Sequence, residues 1–332
     1  MNFDLKTYLQ EKKELINENL DKCLPMEGDY PKEIVEAMRY SLLAGGKRLR
    51  PILTIAACEA VGGKAQDVMK VACAIECIQT YSLIHDDLPA MDDDDYRRGM
   101  PTCHKVYGEA MAILAGDGLL TYAFELLADA YENNDTEQLT DDRLVGSQKS
   151  EVRSQKETDP TTDDRRPLDG RRLIKVIREV AMAVGIKGMI AGQVVDILSE
   201  KGQREKSVEL LEYIHKNKTS ALFKASIKSG ALVAGANDVE LAALDSYAHH
   251  FGLAFQITDD ILDIESTSDE LGKPVGSDEK NQKLTYPLLY GLEKSKEMAI
   301  NNVDAAVNSL NVFGDRAIPL ISLAQYVLTR NK

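Results

Sequence analysis

Apolar residues recur at intervals of three and four along most of the chain. Ile34, Met38, Leu42 and Leu43 carry this spacing, as do Val68, Val71, Ala72, Ile75 and Ile78, and such a period lines up one face of an α-helix. Further helical blocks are predicted from about Glu109 to Ala130, Leu173 to Leu198, Val208 to Ala234, Leu241 to Ile264 and Tyr286 to Leu310. Strand-like alternation is scarce, so the pattern predicts an all-α fold. The stretches Ala112 to Ala130 and Ala181 to Ile197 are apolar nearly all round, which predicts helices buried inside a large bundle. Gly116, Gly118, Gly185, Gly188 and Gly192 interrupt these two blocks. A glycine inside a helix costs about 1 kcal/mol relative to alanine, so each marks a close approach of helices, a lined cavity or a loop.

One segment departs from this texture. From Glu132 to Arg172 the only large aliphatics are Leu139, Leu144, Val145, Val152 and Leu168, set among polar and charged residues with no aromatic. So little apolar surface cannot offset the entropy of ordering, and a mobile loop is expected. Its partial repeat, Thr140-Asp141-Asp142-Arg143 beside Thr162-Asp163-Asp164-Arg165, points to an inserted sequence. The reading is one domain over residues 1–332, interrupted by a polar insertion at about 132–172.

Composition narrows the class. With 44% hydrophobic and 28% charged residues, the chain has the makings of a packed core. Its 40 Lys plus Arg against 54 Asp plus Glu leave a net charge of −14, which speaks against nucleic acid as a partner. Cys23, Cys58, Cys73, Cys77 and Cys103 are odd in number and form no C-x-x-C pair, so neither a disulfide framework nor a zinc site is signalled; Cys73 and Cys77 read as core packing. Met1 to Leu20 mixes charge with apolar residues, unlike a signal peptide. No run approaches the ~18 continuous apolar residues of a spanning helix. A cytoplasmic protein without a transmembrane segment is expected.

Chemistry concentrates in two acidic clusters. The apolar run Ile75 to Ile84 delivers Asp86-Asp87-Leu88-Pro89-Ala90-Met91-Asp92-Asp93-Asp94-Asp95 at its C-terminal end, where the helix dipole disfavours negative charge and a cation must compensate. Oxygen ligands without Cys or His partners select Mg²⁺, which combines one or two carboxylates with substrate phosphates. Asp86 and Asp92 would lie about 120° apart on an undisturbed helix, and Pro89 permits a kink that brings them together. In the second cluster, Asp259-Asp260-Ile261-Leu262-Asp263, the spacing sets Asp259 and Asp263 on one helical face. The two clusters, facing each other across a bundle, would clamp a polyanion through Mg²⁺. Basic groups accompany them: Gly45-Gly46-Lys47-Arg48-Leu49-Arg50-Pro51 is a diphosphate-binding arrangement, and Arg97-Arg98, Lys218-Thr219, Lys273 and Lys283 add further cations.

In order along the chain, Gly45 to Pro51, Tyr81 to Pro101, Gly188 to Asp196, Lys218-Thr219, Phe255 to Asp263 and Leu271 to Asp278 resemble the motifs of short-chain trans-isoprenyl diphosphate synthases. Bacterial farnesyl diphosphate synthases are the most similar and geranylgeranyl diphosphate synthases second. The resemblance covers nearly the whole chain except the polar segment. It implies a helical bundle around a deep central cavity, usually a homodimer, that joins isopentenyl diphosphate to an allylic diphosphate by ionisation, condensation and elimination. It implies about three Mg²⁺ per site, held by Asp86, Asp87 and Asp92 from one side and by Asp259, Asp260 and Asp263 from the other. Arg97, Lys218 and Lys273 would hold the allylic diphosphate, and Lys47, Arg50, Gln79 and Arg98 the isopentenyl diphosphate. Gln79 stands where bacterial relatives often have His, and it still donates a hydrogen bond. Thr219 and Gln256 would direct neutral oxygen dipoles at the allylic cation, with Lys218 beside them. Tyr81, five residues before Asp86 and about 7.5 Å along the helix, would block chain growth at fifteen carbons, while the small Ser82 leaves the upper passage open. A twenty-carbon product is the alternative. A terpene cyclase would not need the second diphosphate site, and a silent regulatory subunit would be expected to lose metal-binding aspartates.

Overall fold

The computed structural model describes residues 3–24, 31–143, 168–265 and 284–330, with the backbone alone for 132–143. Lys273, Lys283 and residues 144–167 of the polar insertion lie outside the described residues.

Helices dominate in the order α1 (Leu5–Cys23), α2 (Lys32–Leu43), α3 (Leu49–Val61), α4 (Met69–Asp86), α5 (Cys103–Tyr107), α6 (Glu109–Arg143), α7 (Gly170–Val184) and α8 (Met189–Glu200). They continue with α9 (Val208–Ile214), a π-helical turn (His215–Ser220), α10 (Ala221–Val233), α11 (Asp238–Glu265), α12 (Tyr286–Tyr290), α13 (Leu292–Ser309) and α14 (Ile318–Thr329). Tyr96–Arg97 and Met100–Pro101 form one short antiparallel pair. Polar side chains start several helices by accepting from exposed backbone N–H groups: Asp169 bonds to Arg172 N at 2.8 Å and Ser207 to Leu210 N at 3.2 Å. The all-α fold read from the periodicity is the fold observed.

α4 occupies the centre. Val71, Ala72, Ile75, Cys77, Ile78 and Ile84 are buried, and α4 packs against α1, α3, α6 and α10. A second, smaller core of Leu211, Ile257, Ile261, Leu284, Tyr286 and Ala299 lies beneath the C-terminal half of α11. Both acidic clusters therefore grow from helices fixed by apolar packing.

Three expectations change. The block from Leu173 to Leu198 is two helices, because the chain turns at Gly185–Gly188, where a Cβ on Gly188 would lie 2.1 Å from Ala183 O. The polar segment begins as helix, since the α6 backbone continues to Arg143, and it ends with Leu168 buried in the core. α6, α7 and α8 are not enclosed all round: Ile113 and Leu114 on α6, Met182 on α7, and Ile190 and Val194 on α8 are exposed, as is Ile186 in the turn between α7 and α8, at 81%. α4 holds the central position that their composition suggested for them. Glu109–Tyr131 has the length and apolar composition of a membrane-crossing helix, and Gly170–Glu200 has them only when counted across the turn at Gly185–Gly188. Each commits one face to the bundle, through Ala115, Leu119, Ala123 and Leu127 and through Leu173, Val176 and Val180.

Candidate active site

A cavity of about 560 Å³ opens between α4, α8, the π-helical turn and α11. α4 does not kink at Pro89 but ends at Asp86. Leu88 N still bonds to His85 O at 3.3 Å, after which the chain folds back so that Asp92 N donates to Asp86 O at 2.8 Å and Asp93 N to Leu88 O at 3.2 Å. This turn brings Asp92 beside Asp86, and both line the cavity. Asp87 points elsewhere. It is buried, and Arg97 grips it through Nε at 2.8 Å while also reaching Asp94 at 2.9 Å.

From the opposite side, Asp259 and Asp260 on α11 line the same cavity, whereas Asp263 is buried and is not among the lining residues. Asp260 accepts from Tyr286 N at 2.9 Å. Asp259 pairs with Arg330 at 2.8 Å, and the same guanidinium donates to Phe255 O at 3.0 Å and lies 3.8 Å from the centre of the Phe255 ring. Gln193 likewise donates to Asp86 Oδ1 at 2.9 Å. Sequence reasoning missed both residues as partners of these carboxylates. Arg330 carries no local signal, since it meets Asp259 from the far end of the chain, but Gln193 lay inside a stretch already singled out.

The cations divide. Arg97 and Lys218 line the cavity with Thr219 and Gln256. Lys218 Nζ lies 2.6 Å from Asp196, and Gln256 donates weakly to Asp260 at 3.5 Å. Lys218 and Thr219 ride on the π-helical turn, a form often found at functional sites. α8 approaches that turn so closely that a Cβ on Gly192 would stand 2.2 Å from Lys218 N. Arg50 and Gln79 also reach the cavity, the Arg50 guanidinium 4.2 Å from the centre of the Phe223 ring. Burial lowers Arg50 to about 10, against the pull of Glu76 and Asp259, so it stays charged at neutral pH. Lys47 instead faces a separate cavity of about 570 Å³, together with Leu9, Tyr326 and Arg330. Arg98 donates to Gly45 O at 2.5 Å and lies 3.8 Å from Glu76. Arg48, the third cation of that basic stretch, is spent on the core, bonded to Asn17, Glu76 and Leu42 O.

Electrostatically, burial outweighs the lining cations at Asp86. Burial pushes Asp86 up to about 6, against the pull of Lys218 and Arg97. His215 is driven down to about 3 by burial and is neutral at physiological pH. Among the described residues no three His, Cys, Asp or Glu side chains converge on a ready-made metal site. Carboxylates placed singly or in pairs on two sides of a cavity fit Mg²⁺, which completes its shell with water and phosphate oxygens. Asp86 and Asp92 on one side and Asp259 and Asp260 on the other are the residues that would hold it. Tyr81 and Ser82 line the α4 wall, and Tyr81 is buried with its ring edge-on to His85 at 5.6 Å.

The polyprenyl synthetase family profile matches residues 31–311. A geranylgeranyl diphosphate synthase of Cyanophora paradoxa is 44% identical over 99% of this chain and 98% of its own length. A dimethylallyltranstransferase of Fischerella ambigua is 45% identical over 99% of this chain and 84% of its own. Among solved structures, an apo FPP/GFPP synthase from Zymomonas mobilis superposes with a TM-score of 0.79 at 34% identity, covering 97% of this chain and 98% of that one.

Proposed function

Because the chain belongs to the polyprenyl synthetase family, we propose that it condenses isopentenyl diphosphate with an allylic diphosphate, as a Mg²⁺-dependent prenyl diphosphate synthase. The observation that carries this reading is the convergence of Asp86, Asp92, Asp259 and Asp260 with Arg50, Arg97 and Lys218 on one cavity. Two diphosphates bring about six negative charges together, and such a site must neutralise them before both can bind. When bound, Mg²⁺ would supply Lewis-acid stabilisation of the charge that develops on a departing diphosphate. Arg97 and Lys218 hold that diphosphate, and Arg50 and Gln79 orient the isopentenyl diphosphate. Thr219 and Gln256 turn neutral oxygens toward the allylic cation in a space that excludes water. The isopentenyl double bond attacks that cation, and the proton lost in forming the product passes to the released diphosphate. No protein nucleophile is required.

On product length, the relatives named as geranylgeranyl diphosphate synthases support a twenty-carbon product. One observation favours fifteen carbons instead: the buried Tyr81 ring stands in the cavity wall one turn below Asp86. We further propose that the active form is a homodimer, joined through the exposed apolar side chains of α6 and α7. The decisive experiment incubates the protein with Mg²⁺, isopentenyl diphosphate and each allylic diphosphate in turn and separates products by length. Condensation products are expected, and Asp86→Ala or Asp259→Ala should lower turnover about 1000-fold, ~4 kcal/mol of barrier, with helical content retained. Near-normal turnover in either variant at saturating Mg²⁺ removes the two-cluster assignment.

A further inference from the structure

The cavity wall that limits chain growth involves more than Tyr81. Tyr81 and His85 lie four residues apart on α4 and share one helical face. Their rings meet edge-to-face at 5.6 Å and 86°, an arrangement that aromatic quadrupoles favour. Both line the cavity. On its other side the imidazole rests against α6, with Nε2 3.1 Å from Ile113 O and 3.9 Å from Asp117. It can lie there because residue 116 has no side chain: a Cβ on Gly116 would stand 2.2 Å from His85 Nε2, 2.5 Å from Cδ2 and 3.0 Å from Cε1. Gly116 is buried within α6, where glycine costs about 1 kcal/mol relative to alanine. Its backbone is not among the positive-φ positions, so conformational freedom does not account for it. The close approach of the imidazole does.

We infer that Gly116 and His85 are positioning residues for product length, with the notch at Gly116 seating the imidazole and the imidazole fixing the Tyr81 ring across the cavity. The inference rests on the prenyl-transfer reading above and adds two residues that the acidic and basic motifs do not reveal. A methyl group at position 116 must displace the imidazole, the far end of a side chain rather than backbone, so the helices can stay in place. α6 closes one side of the ring, and the open space is the cavity. The displaced ring therefore enters the path of the growing chain and shortens the product. Removing the imidazole has the opposite effect, because Tyr81 loses the surface that holds its ring.

The test compares product-length ratios, with thermal unfolding alongside, for the wild type, Gly116→Ala, His85→Ala and the double variant, all with isopentenyl and dimethylallyl diphosphates. Gly116→Ala should raise the ratio of shorter to longer products about tenfold, equivalent to ~1.4 kcal/mol on the barrier to the next addition. His85→Ala should lengthen the products, and the double variant should lose the shortening. Rescue in the double variant separates a steric path through His85 from general loosening of the fold, which would not be reversed by adding the cavity-making change His85→Ala. An unchanged ratio in a folded Gly116→Ala protein overturns the inference, and so does an unchanged ratio in His85→Ala, which decides alone should Gly116→Ala not fold. A wild type that forms no condensation product overturns the enzymatic reading itself, a result distinct from unchanged ratios.

Discussion

Asp86 shows how a single residue can be placed for binding at the expense of stability. Its carboxyl is pushed up from 3.8 to about 6, chiefly by burial. A carboxyl whose pKa is higher in the folded state favours folding when protonated. That contribution is fully present below pH 3.8 and is lost as pH rises through about 6. Asp86→Asn should therefore make the metal-free protein more stable than the wild type at pH 7.5 and give no advantage at pH 3.5, measured by thermal unfolding at both values. Equal wild-type and variant stabilities at pH 7.5 would show that the buried charge is already compensated. The reverse logic applies at Glu76, buried against the Arg48 guanidinium at 2.6 Å. Glu76→Ala leaves that cation without its carboxylate and should cost about 3–5 kcal/mol in denaturant unfolding. Arg48 and Arg50 are two positions apart in one basic stretch, yet one enters the core and the other the cavity. Arg48 adopts a left-handed backbone, φ 53°, at the start of α3. Residue type marked the stretch as chemically active, but only that backbone turn determines which cation is available.

At the scale of elements, the apolar period located α2, α4 and the helical blocks from α6 to α13 but not α1, α3, α5 or α14, because burial on one face leaves a direct trace in the sequence. Where glycines interrupt the trace, the cause is a close backbone approach, local at Gly188 against Ala183 O and between distant segments at Gly192 against Lys218 N. Gly188 and Gly192 look alike along the chain, yet one shapes a turn and the other admits the π-helical turn carrying Lys218. Asp86, Asp92, Asp259, Asp260 and Lys218 stood out by residue type and order and line one cavity, Thr219 and Gln256 were named through the resemblance, and Asp87 and Asp263 are not among the lining residues. Arg330 was not, since it reaches Asp259 from the last residues described. The polar insertion was legible only as composition, and its boundaries need revision. A deletion from Thr136 to Leu168 would cut the α6 backbone and remove a buried leucine. Deleting residues 144–167 and joining the ends with a short flexible linker should preserve turnover and unfolding temperature. The same deletion extended through Leu168 should lose about 2–3 kcal/mol. Loss of turnover in the shorter deletion, with substrate binding intact, would assign the segment a catalytic role.

Across the whole molecule, the distribution of apolar surface is uneven in a way the interior does not explain. α4 takes the central position, so α6 and α7, with similar composition, keep outward faces bearing Ile113, Leu114 and Met182, with Ile186 in the turn that follows. α6 and α7 pack on one another, which gathers these side chains on neighbouring elements. Exposed apolar side chains on neighbouring elements favour burial against another protein, and each fully buried aliphatic side chain gains about 1.5–3 kcal/mol. α6 also forms the back of the His85 seat, so a dimer formed on this face would brace the wall that bounds the growing chain. Replacing Ile186, 81% exposed in a single chain, with Asp should cost a lone subunit little. In a dimer it would bury an unpaired charge at the interface. Light scattering across a dilution series should therefore show a dimer for the wild type and a shift to monomer for Ile186→Asp, with a broader product-length distribution in the monomer. If the wild type is monomeric throughout the series, or if Ile186→Asp dimerises as tightly as the wild type, this face is not the subunit contact.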